Sequence, residues 1–182
     1  AIGEALQAKQ TDHASGGAFA TLNTHAQIGY LLNSYVRIKG LVSLDLFSMD
    51  GRHFHVGDTL DVSDVDRARV LTMLDEARQV AGGLHWRGIE DNLNRASTQK
   101  KVMTVTRVIR YYLPRTGQSE IVGLLVVNLD LSTVFESFLE SAPASERLNI
   151  MLLDRLGRFI YQRDPTLIGQ SADANFLDLL RD

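Results

Sequence analysis

The stretch LVSLDLFSMDGRHFHVG, residues 41–57, decides the fold class. Val42, Leu44 and Leu46 alternate with Ser43, Asp45 and Phe47, and a two-residue period is the mark of a strand with two different faces. Asp50 and Gly51 tolerate positive φ and close the run with a hairpin turn. A second strand, with His53 and His55 to one side, follows. The same pattern returns as LNIMLLDRLGRFIYQRDPTLIG, residues 148–169. Leu46 matches Leu152, Gly51 matches Gly157 and Arg52 matches Arg158, with no gap through the turn. Each copy is followed by a helix-like segment, so a small α+β unit is begun twice.

Working outward, residues 18–38 carry Phe19, Leu22, Ala26, Tyr30, Leu31, Leu32, Tyr35 and Val36 at gaps of three and four, the face of an amphipathic helix closed by Gly40. Residues 1–17 are polar and helical in pattern. Ser63 and Asp66 stand at capping-box spacing. They open a helix whose expected inner face is Val65, Ala68, Leu71, Leu74, Ala77 and Val80, ended by Gly82–Gly83. Residues 84–86 form a short strand, and 87–99 a polar loop. KKVMTVTRVIRYYL, residues 100–113, is rich in β-branched and aromatic side chains and is a strand. After a turn at 114–119, residues 120–129 are apolar at almost every position, as in a central strand covered on both faces. A short helix with Ser132 as its cap leads to a linker at Pro143–Ala144.

Composition narrows the function classes. With 45% hydrophobic and 23% charged residues the chain is folded, and its net charge of −3 gives no basic stripe for nucleic acid. Arg107, Arg110 and Arg115 are the densest basic group. Cysteine is absent, which leaves the redox compartment open. No apolar run approaches the roughly 20 residues of a membrane helix, because Asn128 interrupts the longest one. The first residues lack a signal-peptide pattern. The chain begins inside a helical pattern and stops soon after its second repeat, so a piece of a longer protein is expected. There is no nucleophile elbow, no glycine-rich phosphate loop and no His-Glu-x-x-His. Asp45, Asp50 and Glu90 have no visible partners for acid–base work, so no enzyme is expected.

Taken in order, the helix, the hairpin, GLHWRG (83–88), VGLLVVNLDLSTV (122–134) and RFIYQRDPTLIGQS (158–171) resemble the double Cache (dCache) family. These are extracytoplasmic sensor domains of bacterial chemoreceptors, histidine kinases and diguanylate cyclases. The resemblance implies a PAS-like antiparallel sheet with a long N-terminal helix, followed by the start of a second PAS-like module. Residues 1–144 would be the membrane-distal, ligand-binding module and 145–182 part of the membrane-proximal one. It further implies a periplasmic location in a membrane-anchored protein and a small-molecule ligand. Amino-acid-binding members carry Arg-x-Trp-Tyr and a downstream Asp that holds the ammonium. Here Leu84-His85-Trp86-Arg87 keeps only the tryptophan, and Asn128 stands at the Asp position. An amide cannot offset a buried ammonium, so amino-acid recognition does not carry over.

The candidate ligand residues are Trp86, Arg87, Arg107, Tyr111 and Asn128. Trp86, the only tryptophan, would floor a pocket or fill the core. Arg107 shares a strand face with Met103, Val105, Ile109 and Tyr111, and a guanidinium among apolar neighbours needs an acid or an anionic ligand. Arg87 is a second carboxylate candidate, Tyr111 a hydroxyl on the Arg107 face. His53 and His55, with His85 as a third imidazole, suggest a metal, but no acidic or thiol ligand is spaced to complete the set. No metal and no cofactor is therefore expected. The expected partners are a small ligand, an organic anion by the Arg107 argument, and a second copy through the N-terminal helix. The competing expectation is a ligand-free dimerisation module with a sealed core.

Overall fold

The structure, a computed structural model, describes residues 17–80, 83–140, 150–174 and 176. In chain order come α1 (Gly17–Asn33), β1 (Leu41–Ser48), β2 (His53–Gly57), α2 (Arg67–Gln79), β3 (His85–Asp91), β4 (Lys101–Leu113), β5 (Gln118–Leu129), α3 (Leu131–Glu140), β6 (Leu152–Leu153), β7 (Phe159–Tyr161) and a 3-10 turn at Pro165–Leu167. Five strands form one antiparallel sheet in the order β2-β1-β5-β4-β3, the PAS-like arrangement, and β6–β7 form a separate hairpin. β5, apolar at nearly every position, lies at the centre as expected.

The two hairpins repeat one another bond for bond at their turns. Ser48 N donates to Arg52 O at 2.9 Å, and Asp154 N donates to Arg158 O at 2.9 Å. Gly51 N and Gly157 N each donate back, to Ser48 O and Asp154 O, at 3.0 Å. Both glycines have positive φ, +88° and +72°, where a Cβ would be strained. The side chain at the first position also caps the turn in each copy. Arg52 N donates to Ser48 Oγ and Arg158 N to Asp154 Oδ1.

Each face of the sheet has its own core. On one, Ile28 and Leu32 of α1 pack on Leu44, Leu46, Val56 and Val122, with Ile109, Tyr111, Leu125 and Val127 around them. On the other, Val70, Met73, Leu74 and Ala77 of α2 pack on Phe47, Val108, Leu124 and Val126.

Several expectations need correction. α1 ends at Asn33, not Ile38, because residues 34–40 turn through i→i−3 bonds such as Tyr35 N to Leu32 O. Among its described side chains the inner stripe is Ile28–Leu32, while Ala26 is exposed and Tyr30 is 83% exposed; the expected Phe19 and Leu22 side chains lie outside those described. In α2 the buried stripe is Val70, Met73, Leu74 and Ala77; Ala68 and Leu71 face outward. Asp66 itself caps α2, accepting from Arg69 N, whereas Ser63 bonds Asp61. α3 is capped by Asp130, which accepts from Ser132 N and Thr133 Oγ1, and not by Ser132. β3 runs on to Asp91 through what reads as loop, anchored by buried Ile89. The expected helix over 1–16, Gly82 and the 143–144 linker lie outside the described residues.

Candidate functional site

Alternation along β1 puts Ser43, Asp45 and Phe47 on the α2 side of the sheet, and the same side receives Thr104, Thr106 and Asn128. All of these polar groups are buried, Asp45 at 2% exposure and Asn128 at 0%. Burying so many is tolerable only if they satisfy one another. Thr106 Oγ1 has no partner among the described residues; the others do so in a line across four strands. Thr104 Oγ1 donates to Asn128 Oδ1 (3.0 Å), Asn128 Nδ2 to Ser43 Oγ (2.9 Å) and Ser43 Oγ to Asp45 Oδ2 (2.8 Å). The other carboxylate oxygen, Asp45 Oδ1, takes His53 Nε2 at 2.8 Å and His55 Nδ1 at 2.7 Å.

His55 Nε2 donates in turn to Thr59 O at 2.8 Å. A carboxylate and a carbonyl only accept, so both ring nitrogens of His55 carry hydrogen, as in an imidazolium. Burial alone would lower its pKa, but the Asp45 hydrogen bond and charge outweigh burial and raise it. For Asp45 burial pushes upward, and the hydrogen bonds from His53 and His55 outweigh it, holding the carboxyl below its ordinary value. The loops over this end are pinned together. Asp58 Oδ2 accepts from Ser97 Oγ, Thr98 N and Thr98 Oγ1, and Asn94 Nδ2 donates to Asp61 O. Phe47 stacks on His53 with ring centroids 4.3 Å apart.

The absence of an acid to complete the histidine set is therefore overturned. Asp45 lies opposite His55 in the β1–β2 register, and its ligand atom and those of His53 and His55 lie within 4.8 Å of one another. His85 is on β3, at the far edge of the sheet, 3.9 Å from Glu76. Asp50 pairs with Arg52, and Glu90 with Arg69 and Arg87, so these acids also have partners that the sequence did not reveal.

A second place is open. A cleft of about 790 Å³ lies between β3 and the β6–β7 hairpin. Trp86, Met103, Leu153, Leu156 and Ile160 give it apolar walls, and Glu76, Arg87, Asp154 and Arg155 supply polar groups. Trp86 is 52% exposed there and does not fill the core. Gly88, φ +85°, allows the second hairpin to approach: a Cβ on it would sit 2.7 Å from both Arg158 Nη2 and Asp154 Oδ2.

The five sequence-derived residues do not converge. Trp86 and Arg87 line the cleft. Arg87 is held by Glu76 and by Glu90, Nε to Oε1 at 3.0 Å, so its charge is already met. Arg107 is exposed, which removes the reason for giving it a buried anion: its flanking residues Val105 and Ile109 turn inward while its guanidinium reaches solvent. Tyr111 is half-buried against the α1-side core. Asn128 lies on the opposite side of the sheet, engaged by Thr104 and Ser43.

Comparison with solved structures follows this geometry. The ligand-binding domain of the Pseudomonas aeruginosa PAO1 amino acid chemoreceptor PctB in complex with L-Arg superposes with a TM-score of 0.55 at 19% identity, over 93% of this chain and 58% of that one. The ligand-binding domain of the Campylobacter jejuni chemoreceptor Tlp3 in complex with L-valine gives 0.60 at 15% identity, over 99% and 68%. The chain shares its fold with these chemoreceptor ligand-binding domains. The chain thus spans 58% of the length of the PctB domain. No family model matches, and no curated protein matches. No helix among the described residues is long and apolar enough to cross a membrane.

Proposed function

We propose that this chain is the ligand-sensing, non-catalytic part of a bacterial transmembrane signalling receptor, exposed outside the cytoplasm. Residues 1–144 form its membrane-distal module and 145–182 open a membrane-proximal one. The Cache-type sheet and the repetition of the hairpin turn in a second, separate sheet support this reading. A single observation carries the ligand: the only tryptophan stands half-exposed in a cleft of about 790 Å³, a size suited to small molecules, with apolar walls and a few polar groups.

The ligand is a small organic anion whose apolar body lies on Trp86. Its carboxylate goes to Arg155, exposed and without an ion pair among the described residues, and not to Arg107. PctB and Tlp3 hold free amino acids. In this chain the polar face of the sheet has no free carboxylate for an ammonium, because Asp45 is held by two histidines. A ligand bridging β3 and the β6–β7 hairpin favours one packing of the two over another. That preference passes through the sheet to α1, a shift of population whose size is set by the difference in affinity. The receptor works as a homodimer through α1 and the turns that follow it, a reading supported by exposed Tyr30 on the helix and exposed Tyr35, Val36 and Ile38 beyond its end.

Thermal unfolding against a panel of small carboxylates tests the proposal. At least one is expected to raise Tm, and Arg155→Ala is expected to abolish the rise while Arg107→Ala leaves it intact. If no carboxylate stabilises the chain, or Arg155→Ala retains the whole effect, the assignment fails.

A further inference from the structure

The polar end of the sheet holds a site that the sensing cleft does not use. From it we infer that Asp45, His53 and His55 bind one divalent transition-metal ion of the zinc class, through Asp45 Oδ1, His53 Nε2 and His55 Nδ1. Two nitrogens and one carboxylate oxygen are the donor set such ions prefer over magnesium or calcium, which take mostly oxygen. The three atoms lie within 4.8 Å of one another. Ligands at the usual metal distances of a tetrahedral site stand about 3.3 Å apart. The present separations of 2.7 and 2.8 Å to Asp45 Oδ1 therefore widen by roughly half an ångström to admit the ion.

The surroundings are those of a metal site in two further respects. Ligating imidazoles ordinarily donate their second ring N–H to a carbonyl or carboxylate, which fixes the ring and its tautomer. His55 does so to Thr59 O at 2.8 Å. Ligating carboxylates are ordinarily hydrogen-bonded through the other oxygen, and Asp45 Oδ2 takes Ser43 Oγ at 2.8 Å. The His53 ring is held by its stack on Phe47. Strand geometry supplies the rest, since His53 and His55 are two apart on β2 and Asp45 is opposite His55 on β1. On binding, the ion takes the place of the Nδ1 proton of His55, which leaves to solvent, while the Nε2 proton of His53 moves to Nδ1, a buried atom with no hydrogen-bond partner among the described residues. The fourth position is open to water or to a donor atom of a ligand. The ion would clamp β1 to β2 at the edge of the sheet opposite the Trp86 cleft, giving the sensor a second input.

Chelator-treated protein titrated with Zn2+ and Co2+ by calorimetry, with cobalt visible spectra and imidazole NMR on the same samples, tests the inference. A single equivalent is expected to bind, with ligand-field bands of nitrogen–oxygen coordination and perturbed His53 and His55 ring signals. His53→Ala, checked for folding by circular dichroism, is expected to weaken binding at least tenfold, and His85→Ala to leave it unchanged. The site is refuted if the wild-type chain binds neither ion, if folded His53→Ala binds as tightly, or if Co2+ leaves the His53 and His55 rings unperturbed. The NMR result decides the matter even where His53→Ala does not fold.

Discussion

Replacing Asn128 by Asp or Leu separates hydrogen-bonding from charge in the buried polar line. Asn128 is fully buried and uses both ends of its amide, accepting from Thr104 and donating to Ser43. Leu keeps the branching and the number of heavy atoms but leaves the Thr104 hydroxyl without its acceptor, a loss of about 2–4 kcal/mol from the missing bonds and the unsatisfied donor. Asp keeps the shape and still accepts from Thr104. Its second oxygen, however, meets Ser43 Oγ, whose one hydrogen already goes to Asp45 Oδ2. The introduced carboxyl can donate to Ser43 only when protonated, so its folded-state pKa lies above the unfolded one. For an acid raised this way the loss is absent below the unfolded pKa, grows as pH rises and is complete above the folded pKa. A folded pKa raised by about two corresponds to about 2.7 kcal/mol. Urea unfolding at pH 5 and pH 8 measures this. Asn128→Asp should lose about 1.5 kcal/mol at the lower pH and about 2–3 kcal/mol at the higher one, while Asn128→Leu should lose a similar amount at both. An Asn128→Asp protein as stable as wild type at pH 8 would refute the donor and acceptor roles assigned to Ser43 and Asn128.

Ile28→Ala removes one of two α1 side chains that, among those described, are fully buried against the sheet and should cost about 3 kcal/mol; a loss of less than about 1 kcal/mol by denaturant unfolding would mean that α1 is not docked as described. Asp58→Asn tests the loop clasp. Burial pushes the Asp58 carboxyl up, and the bonds from Thr98, Ser97 and Gln99 outweigh it, leaving the pKa below its ordinary value. The stability it adds is present above the unfolded value and lost as pH falls through the folded one. The Tm gap between wild type and Asp58→Asn should therefore close below about pH 4, and a gap constant from about pH 3 to 7 would contradict this. Gly88→Ala places a Cβ against Asp154 and Arg158 at a positive φ. It should speed amide exchange in residues 150–170 while leaving β4–β5 protected, and unchanged exchange in the hairpin would count against the contact.

The strands were legible because alternation is a local signal, and the turn glycines because positive φ admits few other residues. The helix faces were misplaced by one or two positions. In α2 the run Val70, Met73, Leu74, Ala77 has unbroken i, i+3, i+4, i+7 spacing, and Leu71 offered a competing stripe that only the sheet could reject. The acidic partner of the histidines was also within reach. Once the turn is set at Asp50–Gly51, the register places Asp45 opposite His55, but spacing along the chain conceals a pair made across strands. Arg107 misled for a different reason. Apolar neighbours along a strand do not by themselves bury a long charged side chain, and Arg107 is exposed. The cleft beside Trp86 was only half visible, since Arg155 and Leu156 come from the second hairpin and no local pattern joins them to β3.

Titration followed by the fluorescence of Trp86, the only tryptophan, tests the sensing role most directly. Because the indole is half-exposed in the cleft, a bound carboxylate ligand should give a saturable blue shift, lost in Arg155→Ala. Emission that stays unchanged across the panel, or a saturable shift that Arg155→Ala preserves, would contradict the account.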